Sequence, residues 1–582
     1  MMQNQSNRKS KIWNSVIILF SVIGLLACIA VLFPQVRRMI MDLAEQIMHK
    51  EASTYQTWVK SLLAYAIGGI CFILFLDYCT QTESGRLHVR KVKREMKECL
   101  SEIDFRSFIK PVILMFWVYF LGILTIIRAN FSYWDDVSRS VEGYRHWYDW
   151  SRYISEFFSI IIHGDTRLTD ISPLPQLLAI LVLAISSVLL VYIIDNKKIT
   201  TVRLLASIPL GLSPYFLECL SYKFDAPYMA LSILANIVPF LFIARKKAFL
   251  FCSVVSMLIM CLTYQAVSGI YMLIVLILCF QYWNNQTKSN KEILSFMGTA
   301  VIAFGFAMLL FKFFLMRPAD TSVSYYTYNA IHPIPQILSG TFNNIKEYAI
   351  IINHDWGLIW KVAIALILVF FITQSMYRSS QKKIYSFFIS ILVIVFSFIF
   401  SYGIYSLLMK PLYAPRAMIG FGAFLAIICI YIVSDYKKLA VISVLVLNWC
   451  LFVFAFSYGN ALADQARYAE FRINILLHDL GSIQPDMRRE DLSFQIKNSI
   501  DFAPSVKNIA KHYPIIERLV PKRLGTEIPW DNIYILKQFN SVYSLIFAGN
   551  LDFDSLNLPV VLDSYYHTIK SDGNYILVIL KQ

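Results

Sequence analysis

The sequence predicts an all-α polytopic membrane protein with about thirteen transmembrane helices and a small α+β domain at its C-terminal end. Three observations predict it. Apolar runs of about 17 to 24 residues, the length a helix needs to cross a bilayer, recur along the chain as far as Tyr458. Lysine and arginine gather in every second loop between those runs, the pattern that orients a membrane protein with its basic loops inside. Beyond Tyr458 the long apolar runs stop, and a near-neutral stretch of mixed polar and apolar residues follows.

In chain order the expected spans are 13–33, 57–78, 111–127, 173–194, 204–217, 226–244, 248–264, 266–283, 293–315, 357–376, 385–408, 417–434 and 439–458. The first follows Arg8, Lys9 and Lys11; it is too long for a signal peptide and lacks a small-residue cleavage pattern, so it counts as a span. The basic set of loops includes Arg86 to Lys97, Lys197 to Arg203, Arg245 to Lys247, Arg378 to Lys383, and Lys437 with Lys438. These put the N-terminus in the cytoplasm and, after an odd number of crossings, the C-terminus outside. In the loop 81–110, Leu87, Val92, Met96 and Leu100 recur near helical spacing and predict an amphipathic surface helix. In the tail, Ala466 to Leu477 reads as an amphipathic helix and Asn574 to Leu580 as a strand. Three regions result: 1–110 with two spans and a basic loop, a membrane core over 111–458, and an outer domain over 459–582.

With 57% hydrophobic and 15% aromatic residues the chain is no soluble protein. The net charge of +15 is dispersed over short loops rather than gathered on one face, which argues against a nucleic-acid partner. Neither the ten cysteines nor the nine histidines show a metal-ligand spacing, and the tail beyond Tyr458 has no cysteine to form a disulfide framework.

The unusual residues collect in the opposite, outer loops: Trp134 to Arg152; Ser213 to Glu218 with Ser221 to Asp225; Tyr264 and Gln265; the long loop Met316 to Trp356; and Pro411 to Arg416. The adjacent carboxylates Asp135 and Asp136, at the exit of an apolar run and followed by Arg139, Trp147 and Arg152, suggest charge chemistry at the lipid headgroup level. Sugar transfer from a lipid-linked phosphate fits: a carboxylate takes the proton of the attacking hydroxyl, and cations stabilise the leaving phosphate. Asp135 and Asp136 supply the base, and Arg152, Lys223 and Arg416 are candidate phosphate clamps. Two readings of the pair stay open: reaction, or capping of an interfacial helix with an ion pair to Arg139 one turn later. Arg416 equally suits a snorkelling interfacial arginine, and Gln265 a helix-to-helix hydrogen bond.

The order of these motifs resembles the Gtr type II family of bacterial O-antigen glucosyltransferases. The residues that carry the resemblance are Asp135, Asp136, Arg139, Gly143, Trp147 and Arg152 with Ser172 and Pro173; Ser213 to Glu218 with Ser221, Phe224, Asp225, Pro227 and Met229; Tyr264, Gln265 and Ala266; and Pro415, Arg416 and Gly420. It spans about 131–440. The resemblance implies a GT-C-like glycosyltransferase of the inner membrane with Asp135 and Asp136 as its acidic pair. Together with the residue chemistry above, it makes Arg139, Trp147, Arg152, Glu218, Lys223, Asp225, Tyr264, Gln265 and Arg416 the candidate substrate contacts. The implied donor is undecaprenyl-phosphate-glucose and the acceptor a lipid-linked O-antigen sugar, joined with inversion on the periplasmic face. Cooperation with a donor synthase and a donor flippase follows from the same resemblance, and membrane lipids are its surroundings. No cofactor is implied; a monophosphate donor does not demand a divalent metal, which the sequence leaves open. Where the family pattern leads one to expect Gly-Arg after the tryptophan, this chain has Ser151 and Arg152, which predicts a different local turn.

Two other classes compete. A lipid-linked sugar flippase or transporter would place ionisable residues near the middle of several spans, and 226–244, 248–264 and 266–283 carry none. An O-antigen polymerase or ligase would share the outer face and its arginines but would take a whole lipid-linked glycan as donor.

Overall fold

The computed structural model describes residues 77–316, 328–434, 437–483, 493–525, 529–539 and 555–581, together with Ile70, Leu74 and Phe553. The expected spans 13–33 and 57–78 lie outside the described residues, apart from Ile70, Leu74, Asp77 and Tyr78. Every later expected span is largely helical, although 204–217 is broken into two helices and 385–408 runs beyond the end of its helix at Ser401. Seven of these helices are long and apolar enough to cross a membrane, or eight if one bent pair is a single span. Three others, Ala226–Phe242, Gly420–Val433 and Lys246–Cys261, are apolar but shorter. By length and composition the chain is a multi-pass membrane protein with seven to eight full spans among the described residues, where eleven of the thirteen expected spans fall.

The bent pair explains how a membrane helix comes to face a site. Thr201–Leu212 and Pro214–Ser221 meet at 62°. Pro214 forces the residue before it out of the helical region, and Ser213 is extended, with φ −61° and ψ 145°. The second helix is thereby turned, and it carries Tyr215 and Glu218. Gly420–Val433 is buried along its whole length, as an all-apolar helix must be when it is surrounded by others. The helix Ile109–Ala129 packs between Leu174–Ile194 and Lys438–Ile483. Gly459 sets the second of these approaches, because a Cβ there would lie 2.6 Å from Thr125 Cβ. Thr125 Oγ1 donates to the Ala455 carbonyl at 3.2 Å across the same crossing.

The amphipathic helix expected in the basic loop is Glu83–Ser101, capped by Thr82, whose hydroxyl accepts from Gly85 N–H. Leu87 and Leu100 are exposed on it. The long loop 316–356 is structured over much of its length: β1 (Tyr328–Ile331) pairs with β2 (Leu408–Lys410), and Ile337–Asp355 is a helix.

Lys438–Ile483 runs unbroken for 46 residues. At 1.5 Å per residue that is about 69 Å, more than twice the ~30 Å of hydrocarbon in a bilayer. The expected amphipathic helix 466–477 is therefore the projecting part of a span, and the boundary expected at 458/459 falls inside one helix. Ile473, Leu476 and Leu480 on that projection pack against a four-stranded sheet ordered β3-β8-β7-β6. Its strands are β3 (Ser493–Lys497), β6 (Val560–Asp563), β7 (His567–Ser571) and β8 (Tyr575–Leu580), the last being the strand expected from sequence. β3 and β8 are parallel and the other pairs antiparallel. A small pair, β4 (Ser499–Ile500) with β5 (Arg523–Gly525), lies beside it. Val137, from the acidic stretch, joins this second apolar core, so the C-terminal region rests directly on the residues of interest.

The crossing at Gly459 can be tested within one helix. Gly459→Val should destabilise the detergent-solubilised protein by about 1–3 kcal/mol, the usual cost of overpacking. Gly481→Ala should leave its melting temperature unchanged, because nothing lies within 4 Å of a Cβ there.

Candidate active site

Asp135–Glu142 forms a short helix immediately after the span that ends at Ala129. Trp134 enters it at φ +41°, a conformation that a bulky residue holds only when its surroundings impose it. Gly143 closes it at φ +72°, its N–H donating to the Arg139 carbonyl at 2.8 Å. Successive residues on a helix point about 100° apart, and the two carboxylates part company accordingly.

Asp136 is fully buried. Its Oδ2 accepts the backbone N–H groups of Tyr133 and Lys223, each at 3.0 Å, and its Oδ1 that of Phe224 at 3.5 Å. Burial pushes its carboxyl up to about 7, against the opposing pull of the Lys223 and Tyr133 N–H groups. Asp135 faces a cavity, and its carboxylate has no hydrogen-bond or ion-pair partner among the described residues. Burial raises its pKa as well, with the Arg139 charge opposing.

The ion pair of Arg139 is not with the acidic pair one turn away. It is with Asp225, at the start of the helix Ala226–Ile237. Trp147 Nε1–H donates to the other oxygen of Asp225 at 2.5 Å, and the Arg139 guanidinium lies 4.3 Å from the centre of the Trp147 indole. All three side chains are buried. Lys223 points away from the cavity, its Nζ held by Asp170 at 3.1 Å and Ser132 Oγ at 3.4 Å. Asp136, Trp147 and Lys223 therefore support the site from behind, whereas Asp135, Arg139, Arg152, Glu218, Asp225, Tyr264, Gln265 and Arg416 line the cavity.

That cavity, about 920 Å³, draws lining residues from all five outer polar stretches, including Met316 from the fourth. Arg152 stacks 4.8 Å from the Tyr264 ring and has no carboxylate or hydrogen-bond partner among the described residues; its Nε is buried and unpaired. The preceding residue takes a left-handed turn although it is not glycine: Ser151 sits at φ +59°. Arg416 Nη1 pairs with Glu218 Oε1 at 3.1 Å, and its backbone N–H donates to Oε2 of the same carboxylate. Tyr264 donates its hydroxyl to the Arg416 carbonyl at 3.1 Å, and Gln265 is satisfied by the Cys261 carbonyl at 2.6 Å. Phe311, Ile404, Leu408 and Leu412 add an apolar part to the lining. No group of three or more His, Cys, Asp or Glu able to hold a metal ion occurs among the described residues.

Sequence reasoning missed Arg518. It lies on a single helical turn of the C-terminal region, Ile516–Leu519, and reaches the same cavity. Its guanidinium donates to Asp355 and to the Tyr413 carbonyl. Asp355 also accepts from the Tyr215 hydroxyl at 3.1 Å, which accepts in turn from Trp356 Nε1–H at 3.1 Å. No motif marks Arg518, because its partners lie more than a hundred residues away in the chain.

Removing one member of a buried ion pair strands the other. Asp225→Ala should cost about 3–5 kcal/mol, read as a fall in the melting temperature and in the yield of folded protein. Adding Arg139→Met should recover part of that loss; no recovery would show that the pair is not the source of the cost.

Residues 124–456 match the family model described as glucosyl transferase GtrII. A relative from Salmonella phage P22, described as an uncharacterized 55.3 kDa protein in the gtrB 5' region, is 25% identical over 431 residues, which cover 71% of this chain and 86% of the phage protein. No solved structure matches. The family match takes in more than half of the chain and every lining residue named above except Arg518, and the protein belongs to the glucosyl transferase GtrII family, as a membrane glycosyltransferase.

Proposed function

We propose that the protein moves glucose from undecaprenyl-phosphate-glucose to a hydroxyl of a lipid-linked O-antigen sugar, with inversion, on the periplasmic face of the inner membrane. The observation that carries this reading is the placement of Asp135: a cavity-lining carboxylate with no hydrogen-bond or ion-pair partner among the described residues, in the same chamber as Arg152, Arg416 and several apolar side chains. A general base needs a free lone pair. Glu218 and Asp225 have theirs engaged by Arg416 and by Arg139 with Trp147, and Asp136 spends its own on backbone N–H groups.

In this reading Asp135 takes the proton of the acceptor hydroxyl as its oxygen attacks the anomeric carbon. The bond from that carbon to the phosphate oxygen breaks, and undecaprenyl phosphate leaves with the electron pair. Arg152 and Arg416 meet the phosphate charge, and the apolar side chains of Phe311, Ile404, Leu408 and Leu412 take the first isoprene units. The cations built into the site supply the positive charge that a monophosphate leaving group needs. We assign the arrangement to the GT-C type, with 111–458 as the catalytic membrane region, 1–110 as an added N-terminal part and 459–582 as a periplasmic domain. A synthase and a flippase supply the donor from the cytoplasmic side.

The test is transfer of labelled glucose from undecaprenyl-phosphate-glucose to lipid-linked O-antigen by the purified protein in detergent. Activity with this donor, and none with a nucleotide sugar, is the expected result; the reverse would contradict the reading. Arg152→Lys, which keeps the charge but loses the planar fork, should lower kcat/KM by about tenfold or more. The rate should also fall with decreasing pH through an apparent pKa above the ordinary carboxylate range of about 4, because burial raises Asp135 and only its ionised form accepts a proton.

A further inference from the structure

A second cavity, about 300 Å³, adjoins the first, and Trp134 and Arg518 line both. Apart from Trp134, its walls come from the C-terminal region: Ser499, Phe502, Glu517, Lys522 and Asn532 contribute. Most of its polar groups are already committed. Lys522 pairs with Asp501 at 3.0 Å and lies over the Phe502 ring, and Asn532 clips the backbone of Gly525 with both ends of its amide. Three are not. Glu517 is exposed, and Trp134 and Ser499 are half-buried; none of these side chains has a hydrogen-bond partner among the described residues.

We propose that this cleft is an acceptor subsite that holds the saccharide units next to the residue being glucosylated, with Trp134 as the wall between it and the reaction chamber. Its chemistry is that of a sugar site: an aromatic face for the apolar side of a pyranose ring, an indole donor and a carboxylate acceptor for its hydroxyls, with Val520, Pro521 and Leu524 adding apolar wall. Its position follows from the order of the chain. Trp134 directly precedes Asp135, so a glycan stacked on that indole presents its next hydroxyl beside the carboxylate. Helix Pro529–Gln538, which carries Asn532, packs on the helix of Asp135, and Lys537 Nζ pairs with Glu142 at 2.8 Å, so the cleft and the base are held in one frame. The C-terminal region thereby sets which glycan is accepted, independently of the donor.

The proposal rests on the transferase reading for its choice of ligand, and the test separates the two. The full-length protein in detergent is titrated with oligosaccharide released from the O-antigen of the source strain, and intrinsic tryptophan fluorescence or calorimetry reports binding in the absence of donor. Parent and Asp135→Asn should bind alike, within about twofold. Glu517→Ala and Trp134→Ala should each weaken binding by about tenfold, the scale of one charge-assisted hydrogen bond or one aromatic stack. Ser499→Phe, which fills the cleft, should abolish it. A parent that binds no oligosaccharide, or cleft variants that bind as the parent does, overturns the proposal. Weakened binding in the cleft variants together with undiminished glucose transfer by Asp135→Asn would keep the cleft and overturn the base.

Discussion

The site depends on one buried carboxylate bound by backbone. A charged Asp136 away from water would cost several kcal/mol if left alone, and each hydrogen bond from a donor to a charged acceptor returns about 1.5–3 kcal/mol. Its donors come from two separated parts of the chain, Tyr133 just before the acidic helix and Lys223 with Phe224 after the turned helix Pro214–Ser221. The carboxylate ties those segments to one another. Arg139, Asp225 and Trp147 make a second fastening between the same two segments. The consequence is positional: with Asp136 and Arg139 held from behind, Asp135 is left facing the chamber.

The sequence made the membrane architecture legible because apolar length is a strong signal. Every expected span within the described residues is largely helical. The number of crossings was harder to read, since hydropathy does not distinguish a helix surrounded by lipid from one surrounded by protein. Gly420–Val433 is as apolar as a span, yet it has 14 residues, all of them buried. The projecting half of Lys438–Ile483 was legible as an amphipathic helix but not as a continuation of the last span, because only the absence of a break joins the two.

At the site, the outer clusters named from sequence do converge on one cavity. Which member does what was not legible. Two adjacent aspartates are equivalent on paper; helical geometry turns one towards the cavity and the other into a cage of N–H groups. Lys223 reads as a phosphate cation until Asp170 is found beside it. Arg518 and Asp355 are invisible to spacing arguments because 163 residues separate the two partners.

The measurement closest to the centre of this account compares Asp135→Asn with Asp136→Ala, scoring both the melting temperature and glucose transfer in the purified protein. The account predicts that Asp135→Asn keeps the parent's melting temperature and loses transfer by about 10²- to 10⁴-fold, the worth of a general base, while Asp136→Ala melts markedly lower because three backbone donors are orphaned. Transfer that survives in Asp135→Asn, or an Asp136→Ala protein as stable as the parent, would contradict it.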